Sequence, residues 1–93
     1  MLVTIRLFAR LREIAGASEL QRTLPDGATA RTAWDALVGE FPPLGDYAAA
    51  ISCAVNEEYT RLTATLEDGD EVAFLPPVSG GSEKVRLKPD TTG

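Results

Sequence analysis

Asp68-Gly69-Asp70-Glu71-Val72-Ala73-Phe74-Leu75-Pro76-Pro77-Val78-Ser79-Gly80-Gly81 holds three signals in one run: a turn, a strand, and a proline stop followed by two glycines. Asp68-Gly69-Asp70 reads as a turn because aspartate side chains bond nearby backbone N–H groups and glycine accepts positive φ. Glu71 to Leu75 is rich in residues that favour strands, and Pro76-Pro77 ends it by removing the N–H donors a sheet ladder requires. Proline also fixes φ and holds the chain away from the sheet, while glycines without Cβ let a backbone thread a narrow channel. A Gly-Gly pair alone is a loop signal. Its place after a last core strand and a stiff proline pair gives it weight.

Upstream, Val3, Ile5 and Leu7 alternate with Thr4, Arg6 and Phe8, the period of two of a strand with one buried face, which predicts a strand over residues 2–8. Leu11, Ile14 and Ala15 recur at helical spacing and stop at Gly16, enough for a short helix. Leu20, Arg22 and Leu24 share a parity and end at the turn Pro25-Asp26-Gly27, giving a second strand paired with the first. Thr29 can cap a helix whose apolar stripe is Ala30, Trp34, Leu37, Val38 and Phe41, halted by Pro42-Pro43 and Gly45. After an irregular stretch, Ile51, Cys53 and Val55 alternate, Asn56-Glu57-Glu58 turns the chain, and Tyr59 to Leu62 forms a short edge strand.

This order predicts an α+β layer, a mixed sheet of four to five strands packed by one main helix. One helical stripe covers one sheet face, so the other face is left for partners. Phe8 falls on that other parity, where an exposed aromatic suits an interface anchor, or where the short helix covers it.

The chain has 93 residues, 44% hydrophobic and 25% charged, a composition for one domain. No apolar run is long enough to span a membrane and no signal-peptide pattern opens the sequence, so a cytoplasmic protein is expected. With one cysteine and no histidine there is no internal disulfide and no usual zinc site or histidine base. Cys53 reads as a small core residue. A net charge of −5 argues against nucleic acid and for a basic protein partner. Arg6, Arg10 and Arg12 on such a protein read as solvated surface or local ion pairs, and Glu57-Glu58 with Asp68 and Asp70 as turn residues. Both lysines, Lys84 and Lys88, follow Gly81; residues 82–93 carry net +1, leaving −6 before them. The composition changes character at Gly81, which divides a domain over 1–81 from a flexible extension over 82–93.

Three stretches of the sequence together resemble the small subunit of molybdopterin synthase, within the MoaD/ThiS-type ubiquitin-like sulfur carriers. They are Leu7-Phe8-Ala9-Arg10-Leu11-Arg12-Glu13, Ala54-Val55-Asn56-Glu57-Glu58-Tyr59, and Asp68 to Gly81. The resemblance implies a β-grasp fold and a place in molybdenum cofactor biosynthesis as a sulfur-donor subunit that is not itself catalytic. It implies that Gly81 carries a thiocarboxylate, that Gly80, Val78, Pro77 and Pro76 line the insertion channel, and that Phe8, Arg12, Tyr59 and Phe74 face the partner. It implies two partners, the large synthase subunit and an ATP-dependent, ubiquitin-activating-type adenylyltransferase, with no cofactor held by the chain itself.

The chain departs from that family after Gly81, where the family's mature chain ends and this one continues with Ser82. An amide carbonyl cannot be adenylated, so the sulfur-carrier reading requires removal of residues 82–93 by a processing protease. The other two readings are an extension that silences the product and a segment added to the natural chain. Within the same chemistry, a carrier for thiazole or cysteine synthesis shares the Gly-Gly end, though Leu75-Pro76-Pro77-Val78 favours the pterin branch. From a different class, a protein modifier or plain binding module fits the fold too. The absence of lysine from 1–81 argues against lysine-linked polymers of it.

Overall fold

The computed structural model describes residues 1–77. Val78, Gly80, Gly81 and the extension 82–93 lie outside the described residues. Five strands and two helices follow in the order β1 (Leu2–Leu7), α1 (Ala9–Ala15), β2 (Glu19–Thr23), α2 (Ala30–Glu40), β3 (Ser52–Val55), β4 (Glu58–Thr60) and β5 (Glu71–Leu75), with a 3-10 segment Pro42–Tyr47 after α2. The strands form one mixed sheet in the order β2-β1-β5-β3-β4, in which β1 and β5 are parallel and the other neighbours antiparallel. The last strand of the sequence therefore sits in the middle of the sheet. No helix is long and apolar enough to cross a membrane among the described residues.

Most elements form where the residue pattern places them, but the edge strand expected over Tyr59 to Leu62 spans Glu58–Thr60, because the turn takes only Asn56-Glu57 and Glu58 already pairs with Val55. Gly16 closes α1 in the left-handed region at φ 76°, its N–H donating to the Arg12 carbonyl. Thr29 caps α2: its hydroxyl accepts from the Thr32 N–H at 3.3 Å, and the Thr32 hydroxyl accepts from the Thr29 N–H at 3.0 Å. Threonine here plays the part that glutamate plays in most capping boxes. Ala30, Ala33, Trp34 and Leu37 are the fully buried stripe of α2, while Val38 and Phe41 are only partly buried. Pro42-Pro43 ends the helix but opens a 3-10 turn rather than an irregular stretch, since proline at its first positions needs no N–H partner and its φ suits that turn.

Val3, Ile5, Leu7, Leu11, Trp34, Leu37, Leu44, Val72 and Phe74 form the centre of the core. Cys53 is buried as expected; its thiol donates to the Thr60 carbonyl at 3.4 Å, and burial pushes its pKa up, which keeps it unreactive. One of the site expectations is reversed here. Phe74 does not face a partner but is fully buried, because β5 alternates Val72 and Phe74 inward with Glu71, Ala73 and Leu75 outward.

At the periphery, the Arg22 guanidinium donates to both Glu40 carboxylate oxygens at 2.7 and 2.6 Å and to the Gln21 carbonyl at 2.7 Å. The bidentate pair fastens β2 to the end of α2. It holds the Glu40 carboxyl below its ordinary range and raises the Arg22 pKa.

Candidate partner-docking site

The sheet face turned away from α2 is assembled by strand register. Arg6 pairs with Ala73, Ala73 with Ala54, and Ala54 with Tyr59, setting these four in one row across β1, β5, β3 and β4. At about 4.8 Å per strand, the row spans roughly 14 Å. Its two central members are alanines, so the middle of the row is low and its ends are high. The result is a shallow hollow of about 250 Å³ lined by Arg6, Phe8, Ala54, Glu57, Tyr59, Glu71, Ala73 and Leu75.

Two aromatics stand at its sides, Phe8 at 37% and Tyr59 at 75% exposure. Phe8 follows β1 in extended backbone as the N-cap of α1, and the next residue, Ala9, takes φ 53°, reversing the chain into α1. That reversal leaves Phe8 on the open face instead of beneath the short helix. The Arg6 guanidinium lies 5.6 Å from the centre of the Phe8 ring and donates to Glu71 Oε2 at 3.1 Å. Both partners of this pair are partly solvated, so the contacts orient Arg6 more than they stabilise the fold.

Below the hollow, the turn residues of the sequence tie three strands together. The Asn56 N–H donates to the Glu71 carbonyl at 2.7 Å, its side-chain oxygen accepts from the Glu71 N–H at 3.0 Å, and its amide donates to Asp70 Oδ1 at 3.0 Å. Asp70 Oδ2 accepts from the Glu67 N–H at 2.8 Å, and Asp68 Oδ1 from the Leu2 N–H at 2.7 Å. Gly69, at φ 88°, donates to the Leu2 carbonyl at 2.8 Å. The Asp-Gly-Asp and Val-Asn motifs are thus the joinery that aligns β1, β3 and β5 under the hollow.

Among the described members of the expected site, the structure gathers Phe8 and Tyr59 at the hollow. Pro76 and Pro77 follow Leu75 of its lining, Pro76 half-buried and Pro77 exposed. Arg12 is exposed on α1 but takes no part in the hollow, whose cation is Arg6. Sequence reasoning missed Arg6, Ala54, Glu57, Glu71, Ala73 and Leu75. Parity along β1 already placed Arg6 beside Phe8, but the rest depend on which strands become neighbours. The lining supplies apolar surface, two aromatics and a few charges, the chemistry of docking a protein surface. Among the described residues no cluster of side chains could hold a metal ion.

A mixed five-stranded sheet with its last strand central and one main helix packed on one face is the ubiquitin-like β-grasp class. Residues 5–81 match the model of the ThiS family, and the chain belongs to that family. It is 40% identical over 79 residues to the molybdopterin synthase sulfur carrier subunit of Arabidopsis thaliana, covering 85% of this chain and 82% of that protein. The crystal structure of SAMP1 from Haloferax volcanii superposes with a TM-score of 0.75 at 34% identity, over 87% of this chain and 100% of the other. A chain of the BexX/CysO complex of Amycolatopsis orientalis superposes with a TM-score of 0.63 at 27% identity, over 85% and 99%.

Proposed function

We propose that this protein is the sulfur-carrying small subunit of a molybdopterin synthase, carrying sulfur as a thiocarboxylate on Gly81 in the cytoplasm. The observation that carries the reading is the exit of the chain: β5 ends at Leu75 on the rim of the docking hollow, and the next residues are Pro76-Pro77 and then the segment leading to Gly80-Gly81. A partner seated on the open face would meet the departing chain beside its own contact surface. The relatives named as molybdopterin synthase sulfur carrier subunits support the choice of branch.

The chemistry runs in two steps. The Gly81 carboxylate attacks the α-phosphate of ATP on an activating adenylyltransferase, releasing pyrophosphate and leaving an acyl adenylate. Hydrosulfide then displaces AMP and leaves the thiocarboxylate; a persulfide in its place gives an acyl disulfide, which a second thiol must cleave to the thiocarboxylate, leaving with the persulfide's inner sulfur as a disulfide. Adenylation is needed because a carboxylate is a poor acyl donor, and the thiocarboxylate formed is a good sulfur nucleophile. Inserted into the large synthase subunit, two such sulfurs would build the dithiolene of molybdopterin. Because the reacting group is a free α-carboxylate, a protease must first remove residues 82–93.

The test compares the 93-residue chain with a form ending at Gly81, which keeps every described element since β5 stops at Leu75. With the activating enzyme and ATP, only the shorter form should be adenylated, and with a hydrosulfide donor added only it should gain one oxygen-to-sulfur exchange by intact mass. Equal adenylation of both forms would sink the proposal. A protein-modifier role has its own support in the likeness to SAMP1, a small archaeal modifier protein. Covalent conjugates of the shorter form to other proteins, without sulfur transfer to the large subunit, would favour it.

A further inference from the structure

Three non-glycine residues among those described have positive φ: Ala9 at 53°, Asn56 at 50° and Glu57 at 73°. Glu57 lines the docking hollow, while Ala9 and Asn56 adjoin lining residues in sequence, Ala9 directly after Phe8 and Asn56 directly before Glu57. Asn56 has a local reason, since its side chain bonds Asp70 and Glu71 from that conformation. Glu57 has none. Val55 pairs with Glu58, so Asn56-Glu57 is a two-residue hairpin loop with both residues left-handed, the arrangement for which Asn-Gly is the favoured pair. A side chain at the glycine position of such a turn carries backbone strain.

The strained residue is also the rim carboxylate without a counter-ion. Glu71, the other carboxylate of the lining, is paired with Arg6, whereas Glu57 enters no ion pair among the described residues. It stands beside an apolar floor of Ala54 and Ala73 and close in sequence to Tyr59, on a domain whose residues before Ser82 carry net −6.

We infer that Glu57 is a partner-recognition residue: the protein that seats on this face presents a guanidinium or ammonium group to Glu57, beside an apolar side chain that enters the hollow. This rests on the proposed function, so the partner is the large synthase subunit. Charge complementarity across an interface selects partners and speeds encounter, and the tight turn fixes the backbone from which the Glu57 side chain projects beside the hollow. Strain in the free protein is thus tolerated for a contact made only in the complex.

The experiment measures binding of the purified large subunit by calorimetry, and melting of the free protein, for the wild type and for Glu57→Gln, Glu57→Gly and Glu58→Gln. Glu57→Gln should weaken binding roughly three- to thirty-fold and flatten its dependence on salt, while Glu58→Gln should change it less than about two-fold. Glu57→Gly should lose at least as much affinity as Glu57→Gln, yet melt at the wild-type temperature or a few degrees above it. Weaker binding with equal or higher melting temperature separates a recognition residue from a structural one. Unchanged affinity in Glu57→Gln, or a lower melting temperature in Glu57→Gly, overturns the inference. Failure of the wild type to bind, both as the full chain and ending at Gly81, would instead overturn the proposed function, and the partner named here with it.

Discussion

The rings of Trp34 and Phe74 meet with centroids 5.1 Å apart and planes inclined by 60°, joining the main helix to the central strand. Both side chains are fully buried, and a tilted aromatic pair adds about 0.5 to 1.5 kcal/mol to the burial of its area. Phe74→Ala should therefore cost about 3 to 5 kcal/mol of unfolding free energy in chemical denaturation. A partner-facing Phe74 would give the opposite pattern, lower affinity at unchanged stability.

Phe8 and Tyr59 should behave as Phe74 does not. Phe8→Ala and Tyr59→Ala leave the core intact, so melting should shift little, while affinity for the large subunit should fall by about 1 to 3 kcal/mol. The measurement is titration with that subunit. Marked unfolding at unchanged affinity would return both rings to the core.

Asn56→Ala removes two side-chain hydrogen bonds and leaves a Cβ at φ 50° without the compensation that asparagine provides. The expected loss is about 2 to 3 kcal/mol. Asn56→Gly loses the same bonds but accepts the backbone angle, so its loss should be smaller by about 1 kcal/mol. Denaturation midpoints of the two variants check the order.

The Arg22–Glu40 pair makes stability fall with acid in a definite window. Arg22 holds the folded-state pKa of Glu40 below its unfolded value, first through the hydrogen bonds between them. The stabilisation is present above the unfolded value, about 4.3, and is lost as pH falls through the folded one. Melting curves between about pH 5 and pH 3 should be less steep in pH for Glu40→Gln than for the wild type. Equal slopes would show that the pair contributes nothing to folding. The effect is modest because both side chains are partly exposed.

Much of this fold was legible because the alternation in β1 and the stripe of α2 are strong local patterns, bounded by Gly16, Thr29 and Pro42. Phe74 was misplaced because its partner-facing role came from the resemblance alone; the alternation along β5 and its pairing between β1 and β3 bury the ring at the centre. The same limit hid the hollow. Ala54 and Ala73 look unremarkable in sequence and become its floor only through the register that sets them opposite each other. Glu57 read as ordinary turn chemistry, since the strain that marks it is a dihedral angle and not a residue type.

The central place of β5 also bears on synthesis. Until Leu75 has left the ribosome, the nascent chain owns two separate strand pairs, β1 with β2 and β3 with β4, with nothing to join them into one sheet. Isolated two-stranded pairs are marginal in water. A polypeptide interrupted before that point would remain open and accessible to proteases, so folding itself acts as a completeness check, and the segment bearing Gly80-Gly81 emerges only just behind the strand that closes the domain.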